Sequence, residues 1–202
     1  MSRSRQQKHS EEIKNSIIEI ARKIIAEEGP DAVSIRRITK EMDYSPGIVY
    51  HYFDSKEDII LHVLKENYQR ILSSIKPPRQ NCTPEETIRS AVTNYIDNAL
   101  SFPLEYRSIM LSSSPDILNF TSVLEKGISE KRPAFMQLVA CIKRGIAEGV
   151  FVPDDAELTA QAIWSAMFGL LIRIIIERNI TPDHQKMLIS HQVEIILRGI
   201  RL

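Results

Sequence analysis

Apolar residues recur along most of this chain at spacings of three and four, the period of an amphipathic α-helix. Ile13, Ile17, Ile20, Ala21, Ile24 and Ile25 make one such face. Ser10 is its expected N-cap, Glu11 and Glu12 suit the positive end of the helix dipole, and Gly29-Pro30 stops it. Ile35, Ile38 and Met42 form a second, narrower stripe behind the expected cap Ser34, and Asp43-Tyr44 interrupts it. Asp tolerates the left-handed backbone that a tight turn requires. Ser45-Pro46 restarts a helix, with Ser45 as cap and Pro46 at the first helical position, where its missing N–H is no loss. Ser55 restarts once more, with Asp58 three residues later as in a capping box. Ile59, Ile60, Val63, Leu64, Ile71 and Ile75 carry that helix to Pro77-Pro78.

The run Pro77 to Pro84 reads as a linker by composition. After it the pattern predicts helices over 84–100, 104–111, 117–124, 129–148, 154–177 and 182–200, with no strand alternation, internal repeat or low-complexity run. The fold class is therefore all-α. The helix over 154–177 is apolar nearly all round from Ala162 to Ile176, so it must be covered on every side. The last helix offers a face through Leu188, Val193, Ile195, Ile196 and Ile200. A symmetric homodimer that stacks these two helices on their copies meets both needs. Arg173, inside the apolar run, calls for a carboxylate such as Glu177 or Glu194.

Charge changes the picture little. The 202 residues carry 26 Lys/Arg and 26 Asp/Glu, so net charge gives no hint of nucleic acid and any basic patch must be local. Residues 1–60 hold 10 basic against 11 acidic residues, but the basic ones cluster. Arg3, Arg5 and Lys8 lie in the N-terminal arm, and Arg36, Arg37 and Lys40 on the second helix. Cys82 and Cys141 are too few and too far apart for a disulfide framework or a zinc site, which suggests a reducing cytoplasm. No signal peptide or membrane span is expected, because the most apolar stretch is short and interrupted by Ser165 and Arg173.

The segment from Ser34 to Lys56 carries the chemistry. Two short helices around a tight turn suggest a helix-turn-helix that presents its second helix, Pro46 to Tyr52, to the DNA major groove, although an ordinary helical hairpin with packed aromatics shows the same pattern. That helix has no Lys or Arg. Gly47 lets the backbone approach a phosphate, and Tyr50, His51 and Tyr52 offer hydrogen bonds and apolar contacts to phosphates and bases.

Ile17, Ala21, Ile25, Gly29, Val33-Ser34-Ile35, Ile38, Ser45-Pro46-Gly47, Val49-Tyr50, Tyr52-Phe53 and Ser55-Lys56-Glu57 resemble the DNA-binding domain of the TetR family of transcriptional repressors. The resemblance covers about the first 60 of the 202 residues without gaps, and its diagnostic part is the Tyr-x-x-Phe-x-x-Lys-Glu ending. Where the family usually has a small residue and Gly, this chain has Met42-Asp43. The resemblance implies a three-helix helix-turn-helix DNA-binding domain over residues 1–54 and a helical ligand-binding and dimerisation domain over 55–202.

It also implies function and site. The expected DNA contacts are Ser34, Arg36, Arg37, Ser45, Pro46, Gly47, Tyr50, His51, Tyr52 and Lys56. Phe102, Tyr106, Met110, Phe120, Phe135, Trp164 and Phe168 are expected to line a small-molecule pocket, with Tyr106, Arg107, Arg89 and Gln137 as candidate polar anchors. The implied protein is a bacterial, cytoplasmic, homodimeric repressor on a palindromic double-stranded operator, released by a small, largely hydrophobic effector. The alternative is a ligand-binding or adaptor protein whose DNA-binding head has lost function. An enzyme is not expected. His9, His51, His62, His184 and His191 show no ligand pairing at four-residue spacing, and neither a phosphate loop nor a nucleophile elbow is present. No cofactor or metal is expected.

Overall fold

A computed structural model describes residues 2–73, 82–177 and 179–202, with side chains from residue 6 onward. Among the described residues lie nine α-helices and no extended sheet. They are α1 (Ser2–Glu28), α2 (Ile35–Met42), α3 (Lys56–Ser73), α4 (Pro84–Leu100), α5 (Pro103–Met110), α6 (Pro115–Thr121), α7 (Pro133–Ala147), α8 (Ala156–Ile176) and α9 (Pro182–Ile200). Short 3₁₀ segments occupy Pro30–Ala32, Pro46–His51 and Ile128–Glu130. The side chains of Arg3 and Arg5 and most of the Pro77–Pro84 linker lie outside the described residues.

The chain forms two compact units, Met1–Gln69 with Phe102–Ile117, and Arg70–Ser101 with Leu118–Leu202. The division expected after residue 54 follows the motif alone. The compact units instead place most of α3, and all of α5, with the head. In the first unit α1 packs on α2 and α5. Ile17, Ala21, Ile24, Ile25, Ile38, Val49, Ile59, Val63, Tyr106 and Ile109 are fully or almost fully buried there. Helix α1 begins at Ser2 instead of being capped at Ser10, because Arg, Gln and Lys continue a helix and nothing in between breaks it. Ser10 instead donates its hydroxyl to Tyr52 Oη at 3.3 Å. Arg22 bridges α1 to α3 through Glu66 at 2.6 Å.

The second unit packs α4, α7, α8 and α9 against one another. Thr83 caps α4 in a full capping box with Glu86, and backbone and hydroxyl donation from Thr83 holds the Glu86 carboxyl below its ordinary range. The expected helix over 129–148 begins only at Pro133. Arg132 precedes a proline and is pushed to extended backbone (φ −125, ψ 100), leaving an isolated turn before it. Glu157 accepts the backbone N–H groups of Gly127 (3.0 Å) and Ser129 (2.9 Å), which fixes that loop on α8. Gly145 lies so close to the Phe151 ring that a Cβ there would overlap it. The chain end is pinned by Val152 N–H to Ile200 O (2.9 Å), Leu202 N–H to Val150 O (3.1 Å) and an Arg201–Glu85 fork at 2.6 and 2.5 Å.

Helix α8 is by length and composition alone apolar enough to cross a membrane, a test that a packed core helix also passes. One face, including Ala160, Ile163, Trp164, Met167 and Leu171, is buried in the second unit. Arg173 pairs with Glu177 one turn on, while Glu194 takes Arg89 at 2.6 Å. No group of three or more His, Cys, Asp or Glu side chains could hold a metal ion among the described residues.

Candidate nucleic-acid interface and ligand cavity

Helix α2 starts where Ser34 Oγ accepts the Arg37 N–H at 3.2 Å. It ends at Asp43, whose backbone is left-handed (φ 57, ψ 41), and Tyr44 N–H closes the turn on Thr39 O at 3.0 Å. Ser45 is extended and Pro46–His51 then winds as a 3₁₀ turn, with Ile48 N–H on Ser45 O (3.1 Å) and Tyr52 N–H on Val49 O (2.9 Å). The Ser45 carbonyl opens that turn, and its hydroxyl makes no capping bond, unlike the expectation from sequence. Val49 and Phe53 anchor the segment inward. Phe53 meets His62 edge-on at 5.9 Å and carries Lys14 Nζ 5.6 Å above its ring. Before α3, Ser55 Oγ accepts the Asp58 N–H, and the Asp58 carboxylate reaches back to Asp54 N–H, one residue earlier than in a standard box.

The result is an exposed ridge. Ser34, Arg36, Ser45, Pro46, Gly47, Tyr50 and His51 face solvent, and Tyr52 and Lys56 are half-buried beside them. Arg37 differs: its guanidinium is forked onto Glu28, Nη2 to Oε1 at 2.5 Å and Nη1 to Oε2 at 2.9 Å. Hydrogen bonding to Arg37 holds the Glu28 carboxyl below its ordinary range. A ridge of Tyr, His, Ser and backbone donors, flanked by Arg36 and Lys40, can track phosphates and touch base edges.

In the second unit, α4, α7 and α8 line a half-open cavity of about 330 Å³. This is the lower end of ordinary ligand sites. Its wall is largely aliphatic and aromatic. Tyr95 and Trp164 stack at 4.9 Å with a 59° tilt. The polar lining comes from Thr87, Gln137, Cys141 and Arg144. Cys141 Sγ lies 3.5 Å from Pro84 O, and burial pushes its thiol above the usual range. Arg144 Nη2 donates to Cys82 O at 2.8 Å.

Residues 17–63 match the sequence model of the bacterial regulatory proteins of the tetR family. That stretch is the DNA-binding segment of tetR-family regulators. The uncharacterized HTH-type transcriptional regulator YuxN of Bacillus subtilis is 24% identical over 184 residues, 91% of this chain and 62% of that protein. The regulator UidR of Escherichia coli is 32% identical over 72 residues, 36% of this chain and 37% of its own. The chain thus spans about half the length of the curated relatives it matches. Among solved structures, a Rhodococcus protein of unknown function superposes with a TM-score of 0.72 at 12% identity, covering 94% of this chain and 96% of its own. A tetR-family regulatory protein from Rhodococcus RHA1 reaches 0.66 at 22% identity, covering 94% and 97%. These likenesses show the fold: an N-terminal helix-turn-helix followed by a helical C-terminal part.

In this chain the expected pocket residues divide. Phe135 and Trp164 line the cavity, whereas Phe120 and Phe168 lie in the same unit but outside its wall. Phe102, Tyr106 and Met110 belong to the first unit, where Tyr106 is fully buried in the head's own core. Of the candidate anchors only Gln137 reaches the wall; Arg89 pairs with Glu194, and Arg107 is exposed on α5. Sequence reasoning missed Thr87, Tyr95, Met167 and Arg144. Thr87, Ala91 and Tyr95 do share one face of α4 at four-residue spacing, but that pattern equally describes a packed core.

Proposed function

We propose that the chain is a ligand-responsive transcriptional repressor that binds a palindromic operator as a homodimer and is released by a small, largely hydrophobic effector. The observation that carries this reading is the apolar cavity of about 330 Å³ in a chain whose head is a TetR-type helix-turn-helix. One motif per chain requires two copies for a two-fold site, with recognition elements about 34–36 Å apart or a multiple of that. The outer faces of α8 and α9 support such pairing. Leu158, Ala162, Ser165, Gly169 and Ile176 are exposed along α8, and Met187, His191 and Ile195 along α9. Small residues on one helix and larger apolar ones on the other allow close stacking of copies.

No residue of α3 lines the cavity, so coupling does not require direct contact between that helix and the effector. The bistable element is the separation of the two heads in the dimer, which must match the groove spacing. An effector that favours another separation weakens operator binding, and by linkage the operator weakens effector binding equally, typically by ~1–3 kcal/mol. Operator affinity with and without a cavity-bound compound, paired with the compound's affinity with and without operator, tests this. Unchanged values for compounds shown to fill the cavity would overturn it. A second reading, a ligand-binding protein with a silent head, is favoured by the absence of Lys and Arg from the Pro46–His51 segment and by the engaged Arg37. Absence of binding to any duplex at low salt would select it.

A further inference from the structure

The cavity has an asymmetry that its apolar character hides. Arg144 is the single charged side chain on its wall among the described residues. It stands at one end. Arg144 is the last residue of α7 to line the cavity and Thr87 the first of α4, and Cys141, one turn before Arg144, touches the α4 N-terminus at Pro84. The helices are therefore antiparallel along the cavity. Thr87 to Tyr95 spans about 12 Å of α4, and Ala134 to Arg144 about 15 Å of α7, at 1.5 Å per residue. Tyr95 and Trp164 stack toward the far end.

The Arg144 guanidinium is incompletely satisfied. Its Nη2 donates to Cys82 O, but Nε is buried with no hydrogen-bond acceptor. Glu148 Oε1 forms an ion pair with that nitrogen at 3.5 Å, one turn on and without a hydrogen bond, from a side chain that is half exposed. A buried donor left open is unfavourable until an acceptor reaches it. A guanidinium is matched best by a planar carboxylate, which it holds through charge-assisted bonds.

We infer that the cavity takes a single-chain carboxylate amphiphile, its head group on Arg144 and Thr87 and its tail running between α4, α7 and α8 toward Tyr95 and Trp164. This rests on the reading of the cavity as the effector site and names the effector's class. Glu148 opposes the head group and sets its affinity below what Arg144 alone would give. A quaternary ammonium of the same chain length is disfavoured at the same end.

Trp164 is the chain's single tryptophan and lines the cavity, so its fluorescence reports occupancy without DNA. The full chain is titrated with decanoate, decanol and decyltrimethylammonium. Decanoate is expected to bind about tenfold or more tighter than the ammonium, and Arg144→Gln to lower decanoate affinity by a similar factor while leaving decanol nearly unchanged. Glu148→Gln is expected to tighten decanoate and leave decanol alone. Shortening the carboxylate should weaken it about fourfold per methylene. Equal affinity for decanoate and the ammonium, no response of Trp164 to any probe, or a decanoate affinity indifferent to Arg144→Gln overturns the inference. If Arg144→Gln loses its helical melting transition, the Glu148→Gln result decides, and no gain for decanoate there overturns it. Decanoate binding that leaves operator affinity unchanged would refute the regulatory reading and not this one.

Discussion

Glu28→Gln should make this protein bind DNA more tightly. In the structure Arg37 sits one turn into α2, three residues from the Ser34 cap, yet both of its terminal nitrogens are spent on Glu28 at 2.5 and 2.9 Å. The head already lacks a basic excess, with 10 basic and 11 acidic residues in positions 1–60, so each engaged cation matters. Removing the Glu28 charge frees one guanidinium and deletes one anion. If the freed group neutralises one phosphate, the slope of log affinity against log salt steepens by about 0.9, which at 0.1 M salt is roughly eightfold tighter than the same contact at 1 M. Fluorescence anisotropy on a random duplex, at several concentrations between about 50 and 200 mM salt, measures both quantities. Arg37→Ala alone should change little, because that charge is already engaged, and the double variant should lose the gain. An unchanged slope in Glu28→Gln, or a large loss in Arg37→Ala, would refute the argument that the fork holds Arg37 away from phosphate.

Positioning and reading should separate by residue: Lys56→Ala lowers affinity for all sequences and flattens the salt slope by roughly one unit, whereas Arg36→Ala costs about 1–3 kcal/mol at one base position, measured by operator against random DNA. Gly145→Ala should lose about 1–3 kcal/mol in urea unfolding, since its methyl group would collide with the Phe151 ring; a neutral result would show that Phe151 moves aside freely. Burial raises the Glu105 carboxyl above its ordinary value, so the stability tied to its protonated form is present at low pH and lost as pH rises through that raised value. Glu105→Gln should therefore melt higher than wild type at pH 7 and level that part of the pH profile, and an unchanged melting temperature at pH 7 would contradict it. Ile195→Asp, on the exposed face of α9, should convert a sedimenting dimer to monomer at micromolar concentration, and a wild-type chain already monomeric there would sink the pairing itself.

Short-range physics explains what was legible without coordinates. The helical period, the proline and glycine stops, the Ser34 cap and the left-handed Asp43 are decided within a few residues of backbone, and each stands where the local chemistry puts it. The diagnostic run from Tyr50 to Glu57 is likewise a local signature. Competing local choices were less legible. Ser10 could cap or continue a helix, and it continues; Pro133 cut a helix that its apolar period had extended.

What only the tertiary structure decided is which side chains from distant parts of the chain meet. Aromatic residues at helical spacing look the same whether they fill a core or line a cavity, so Tyr106 was indistinguishable from Phe135 until one was seen packed in the head and the other on the cavity wall. Arg37 and Glu28 lie nine residues apart on different helices, and Arg144 and Cys82 sixty-two apart. No periodicity encodes such pairs. Their partners are set by how helices pack, and packing depends on the whole set of buried surfaces at once.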